Sequence, residues 1–149
     1  MGSLVTAFLL LLLLIPALLS VFSRFRPPDA GFREGRLQDC PLTSNCVSSE
    51  EKDRPSYAEP LRFQSSPESA WKKTRQAVLD MGGRIAVEDA AYMHATFTSS
   101  FFRFVDDLQL RLDRKKREIN FRAASRVGYS DLGVNRKRVE ELRRRVNDS

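Results

Sequence analysis

Between Arg84 and Ser125 the apolar residues recur with the period of a strand, and this constrains the fold more than any other feature of the chain. Ile85 and Val87 alternate with Arg84, Ala86 and Glu88. After a turn at Asp89-Ala90, Ala91, Met93, Ala95 and Phe97 alternate with Tyr92, His94, Thr96 and Thr98. A third strand is expected from about Phe102, with Phe104, Leu108, Leu110 and Leu112 on one face; the polar turn Arg114-Lys115-Lys116 leads into a fourth with Ile119, Phe121, Ala123 and Ser125. Consecutive antiparallel strands with one apolar face each need a cover on that face. Two helical patterns supply it. Ser66 is a predicted N-cap with Pro67 at the first helical position, the stripe Trp71, Thr74, Val78 and Met81 follows, and Gly82-Gly83 ends the helix. A C-terminal helix from near Asn135 buries Val139, Leu142 and Val146 and places Arg143 to Arg145 in its last turn, where the helix dipole favours cations. The expected class is α+β: one small domain, an antiparallel sheet of four to five strands, two helices on one face.

Ahead of this domain, Leu4 to Phe22 is free of charge and long enough to cross a bilayer as a helix. It lies outside the fold. As a signal peptide it has Pro16, Val21 and Ser23 in tolerable positions for cleavage; as a retained anchor it has no Lys or Arg before it and Arg24 and Arg26 directly after it, an asymmetry that favours a cytoplasmic domain. The expected organisation is an anchor or signal segment over 1–23, a flexible tether over 24–39 rich in Arg, Pro, Gly and Asp, and the domain over 40–149. That domain carries most of the chain's net charge of +6. A basic surface of this kind suits anionic lipid or an acidic partner; without a recognised nucleic-acid motif or interleaved aromatics, nucleic acid is not expected.

Cys40 and Cys46 are the two cysteines, and their spacing suits a small disulfide loop in an oxidising compartment or two free thiols in cytosol. Two thiols without a nearby His or further Cys do not complete a zinc site, and His94, the sole histidine, is expected on the solvated polar face of its strand. No metal and no cofactor are expected. Walker, GxGxxG and GxSxG patterns are absent, and Ser125 and Ser130 have no histidine near them in sequence, so the chain leans away from catalysis.

The densest chemistry lies in RAASRVGYSDLGVNRKR, Arg122 to Arg138, between the last strand and the last helix. Arginines, hydroxyls and glycine-freed backbone make either an anion-binding loop or a hydrogen-bonded clasp. The candidate binding residues are Arg122, Ser125, Arg126, Ser130, Asp131, Asn135, Arg136 and Arg138. Asp106 shares the parity of Phe104 and Leu108, which puts a carboxylate on the apolar face and calls for a cation; Arg126 or Arg136 is the expected partner, with Asp106–Arg126 the structural pair. A β-bulge turning Asp106 and Asp107 outward is the alternative.

CPLTSNCVSS at 40 to 49, the helix with Trp71, FVDDLQLRLD at 104 to 113 and NFRAASRVGYSDLGVNRKRVEELR at 120 to 143 resemble the bacterial family catalogued as domain of unknown function 1499. The resemblance implies a small α+β domain, often exported or membrane-attached. Its recurrent polar positions correspond here to Asn45, Cys46, Asp106, Asp107, Arg122, Ser125, Arg126, Asp131, Asn135 and Arg136. No activity comes with it. It moves the expected location of the domain to the periplasmic or extracytoplasmic side, the cytoplasmic face being the alternative.

Three functions from different classes fit these residues. The first is a membrane-attached accessory or binding module whose Arg/Ser/Asp-rich loop recognises an anionic group on a lipid, a ligand or an envelope protein. The second is a small hydrolase or metal-assisted enzyme using Asp106, Asp107 and Asp131, which requires those carboxylates to converge. The third is a structural clasp, with binding on an open polar sheet face bearing Tyr92, Gln109 and Asn120.

Overall fold

A computed structural model of the chain describes residues 2–26 and 31–147. Helix α1 spans Gly2–Phe25, with Pro16 inside it. Its apolar stretch Leu4–Phe25, 22 residues at mean hydropathy 2.8, is long and apolar enough to cross a membrane or to serve as a signal segment. At 1.5 Å per residue it measures roughly 33 Å, matching a hydrocarbon core.

Strands β1 (Phe32–Arg33) and β2 (Arg36–Leu37) form a hairpin. Then follow β3 (Cys46–Ser48), β4 (Leu61–Arg62), α2 (Pro67–Asp80), β5 (Arg84–Glu88), β6 (Tyr92–Thr98), β7 (Val105–Asp113), β8 (Glu118–Ser125) and α3 (Val134–Asn147). The main sheet runs β3-β8-β7-β6-β5, all antiparallel, and β4 shares the outer edge of β8 with β3. The expected α+β class is the observed one, with two short strands, β3 and β4, added to the main sheet ahead of α2.

Each helix starts where its sequence signals. The Ser66 hydroxyl accepts the Ser69 backbone N–H at 3.2 Å, Pro67 opens α2, and Ala70, Trp71, Thr74, Ala77 and Val78 are buried. Gly82, at φ 82°, turns the chain out of the helix. In α3 the buried residues are Asn135, Val139, Leu142 and Val146. Both helices cover Met93, Ala95 and Phe97 of β6, Leu108, Leu110 and Leu112 of β7, and Ile119, Phe121 and Ala123 of β8. In β5 the alternation fails. A register shift between Ile85 and Val87 pairs Val87 with His94, so Ile85 packs on the core while Val87 is exposed.

The polar face of the sheet is closed, contrary to the open face expected. Tyr92, Gln109 and Asn120 are all buried there. The cover is the stretch expected to be a flexible tether: from Gly31 onward it is a folded strap, with residues 27–30 outside the described residues. The Gly31 N–H donates to Gln109 Oε1 at 2.9 Å, the Leu37 N–H to Glu50 Oε2 at 2.7 Å and the Cys40 N–H to Glu51 Oε2 at 2.7 Å. Glu50 in turn holds Arg111 of β7 through Oε1. Buried polar groups survive here because these three strap amides meet side-chain acceptors rising from the sheet or the loop beside it.

Candidate functional site

Strand alternation assigns Asp106 and Asp107 to opposite faces, and β7 pairs in unbroken register with β6 and β8 through both residues, so no bulge turns them outward. Asp106 enters the apolar side as expected, but its cation is Arg138 of α3, at 2.8 Å, and not Arg126 or Arg136. The reason is the reach of α3. Its first turns cross the end of the sheet, and the Arg138 guanidinium lies 4.6 Å from the Phe97 ring centre, over an apolar surface that a loop arginine does not reach.

Arg126 follows the end of β8 on the opposite face and chelates Asp107. Its Nε donates to Oδ2 and its Nη2 to Oδ1, both at 2.8 Å. His94 Nε2 lies 2.7 Å from Asp107 Oδ1. Burial pushes the Asp107 carboxyl up, but the hydrogen bonds from His94 and Arg126 and the Arg126 charge outweigh it, so the group is held below the usual carboxylate range. An ionised carboxylate only accepts, so Nε2 carries the proton in this contact. His94 is therefore a buried partner of Asp107, not a solvated surface residue. Sequence reading missed this because Asp107 pairs directly with Thr96 while His94 pairs with Gln109, leaving His94 and Asp107 as diagonal neighbours whose meeting depends on register. Burial and the Asp107 charge also push the Tyr92 phenol up to about 12.

The remaining loop residues sort into a clasp. Asp131 caps α3, accepting the Gly133 N–H at 2.9 Å and the Asn135 N–H at 2.8 Å. The buried Asn135 amide donates to Ser125 Oγ at 3.0 Å and to the Asn45 carbonyl at 3.2 Å, and its Oδ1 accepts from Arg138. Asn45 donates to the Gly128 carbonyl at 2.6 Å. Arg136 reaches the carbonyls of Pro55 and Tyr57, and the Ser130 hydroxyl accepts the Leu132 N–H at 3.3 Å. These contacts tie β3, β8 and α3 together. Among the expected binding residues, Ser130, Asp131, Asn135, Arg136 and Arg138 thus serve the fold. The carboxylates of Asp106, Asp107 and Asp131 lie on two faces of the sheet and at a helix cap, so they do not converge as the hydrolase reading required.

Arg122, Ser125 and Arg126 do meet, at a cavity of about 220 Å³ lined also by Arg26, Thr43, Asn45 and Asp107. Arg122 is 2% exposed. Arg26, unremarked as a site residue in sequence, arrives because the end of α1 docks here: its Nη1 donates to the Arg126 carbonyl at 2.8 Å, and Arg126 Nη1 reaches the Ser23 and Arg26 carbonyls at 3.4 and 3.2 Å. The lining thus holds three arginines and one carboxylate, with Arg126 bound to Asp107. A larger groove of about 410 Å³ lies between Leu42, Tyr129 and Arg136. There Arg54 pairs with Glu51, Arg136 reaches carbonyls, and Asp131 stands in the same lining.

Beside it, the Cys40 and Cys46 sulfurs lie at disulfide distance, 2.04 Å, and pack on Ala124. Within the described residues no group of three or more His, Cys, Asp or Glu side chains could hold a metal ion.

Fold and site together define a small α+β domain, strapped by its own N-terminal segment and preceded by an apolar helix. The chain belongs to the family described as "Protein of unknown function (DUF1499)", whose model matches residues 36–146. No curated protein and no solved structure matches it. The family description carries no activity, so the function has to be argued from the cavity.

Proposed function

We propose that this protein is a membrane-attached binding module that holds an anionic group, a phosphate or carboxylate of a lipid, ligand or envelope protein, between Arg122, Arg126 and Arg26. The observation that carries this reading is the charge of the 220 Å³ cavity, whose lining includes Arg26, Arg122 and Arg126 beside the carboxylate of Asp107. Asp107 orients Arg126 through two parallel hydrogen bonds, and the remaining Nη1 donates to the Ser23 and Arg26 carbonyls, contacts that an incoming anion would share or displace. Thr43, Asn45 and Ser125 add neutral polar atoms to the same wall. A preorganised fork of this kind recognises planar or tetrahedral oxyanions and does not transform them.

The membrane attachment is α1, and the domain faces the extracytoplasmic side. What supports that side is the juxtaposed Cys40 and Cys46, since a disulfide persists in oxidising compartments.

Titration of the detergent-solubilised full chain with inorganic phosphate, followed by amide chemical shifts, tests the reading. Saturable shifts at Arg122, Ser125 and Arg126 are expected, and they should be lost in Arg26→Gln while its melting temperature stays that of the parent. Shifts spread over the basic surface without saturation would refute a built site.

A further inference from the structure

We propose that one end of the sheet is itself a membrane-contact face, which seats the domain against the bilayer that α1 enters. This rests on α1 as a membrane span and is independent of the anion cavity.

The register brings the relevant loops together. Thr98 pairs with Val105, Asp106 with Ser125 and Cys46 with Ala124, so the β6–β7 turn (99–104), the loop after β8 (126–133) and the cysteine loop (40–45) all leave the sheet at one end. Their tips are apolar and exposed: Leu42 88%, Phe101 85%, Phe102 45%, Tyr129 73% and Leu132 88%. Water-facing loops rarely concentrate large apolar side chains in this way. The β6–β7 turn is also well formed, closed by the Ser99 N–H to the Phe104 carbonyl at 2.9 Å, with the Phe101 and Phe102 rings edge to face at 4.8 Å.

The end of α1 says what covers these tips. Ser23 Oγ accepts the Val105 backbone N–H at 3.3 Å, and Arg126 binds the Ser23 and Arg26 carbonyls. Leu4–Phe25 fills a hydrocarbon core, which sets Phe25 at the headgroup level and with it the sheet end bonded to Ser23. Aromatic and aliphatic tips accompanied by Arg24, Arg26 and Arg103 have the composition of an interfacial segment, apolar side chains entering the acyl boundary and cations meeting anionic headgroups. The opposite turn, around Lys115, lies a full length of β7 away, roughly 30 Å at the rise of a strand, and stands clear of the lipid.

Single tryptophans in the full chain, reconstituted in nanodiscs of phosphatidylcholine and phosphatidylglycerol brominated either near the headgroup or near the chain end, test this. Phe101→Trp should lose most of its added emission to the headgroup-proximal bromines, and Lys115→Trp none beyond the buried Trp71 background. Leu11→Trp, in the middle of α1, should be quenched by the deep bromines. Quenching at position 11 with positions 101 and 115 alike unquenched would overturn the contact face and leave the span intact. No quenching at position 11 would remove the span, and the contact face with it.

Discussion

Asp106 and Asp107 are neighbours in β7 and anchor opposite sides of the sheet: the first binds Arg138 of α3 at 2.8 Å, the second binds Arg126 of the following loop at 2.8 Å. One dipeptide therefore couples the helical layer to the cavity wall. The consequence is that mutations of the two residues should separate, one acting on helix docking and the other on the cavity.

Asp106→Asn should destabilise the domain by about 3–5 kcal/mol, because it leaves the Arg138 charge without its partner against Phe97. The double replacement Asp106→Leu with Arg138→Leu should recover most of that loss, since a pair of apolar side chains can replace a buried ion pair. Urea denaturation of the two variants beside the parent measures both effects. Equal losses in the single and double variants would mean that the pair contributes nothing specific.

Acid should weaken the domain through Asp107. Its folded pKa lies below the unfolded value of about 4. Its contribution to stability is thus fully present above pH 4 and is lost as pH falls through the folded value. In Asp107→Asn the slope of stability against pH below about 4 should be shallower than in the parent, which thermal melts across that range record. An unchanged slope would place the acid sensitivity elsewhere.

Gly83→Ala should cost about 1–3 kcal/mol through overpacking. A Cβ at this position would stand 2.7 Å from Phe97 Cζ and 2.8 Å from both Val78 Cγ1 and the Val78 carbonyl oxygen. The neighbouring Gly82→Ala meets no atom within 4 Å but is strained by φ 82°, so both should lower the denaturation midpoint, for different reasons. Phe97→Leu, which shortens the side chain facing Gly83, should rescue the first variant in part and the second not at all.

Reduction should lower stability by roughly 2 kcal/mol if Cys40 and Cys46 are joined, the entropy of opening a loop this short. Melting with and without reductant measures it, and Cys40→Ser should abolish the difference. In intact cells, alkylation of these cysteines only after reduction is expected for an extracytoplasmic domain, whereas immediate alkylation would place the domain in the cytoplasm.

The layered architecture was legible because hydrophobic period is a local property. Met93, Ala95 and Phe97 alternate within one strand, Val139, Leu142 and Val146 recur within one helix, and each pattern reports its buried face without knowledge of its partner. The family resemblance carried by 40 to 143 was legible for a related reason, being a matter of residue order alone. Even the parity of Asp106, and hence its need for a cation, could be read along the strand.

What tertiary structure decided was who meets whom. Arg138 rather than Arg126 serves Asp106, His94 reaches Asp107 diagonally across two strands, and the Gly31-to-Leu37 segment becomes a strap over a face expected to be open. Each outcome depends on strand register, on the angle at which α3 crosses the sheet or on the path of a connecting segment. Several cations lay within reach of each carboxylate along the chain, and only packing in three dimensions, which admits one guanidinium per buried site, selected among them.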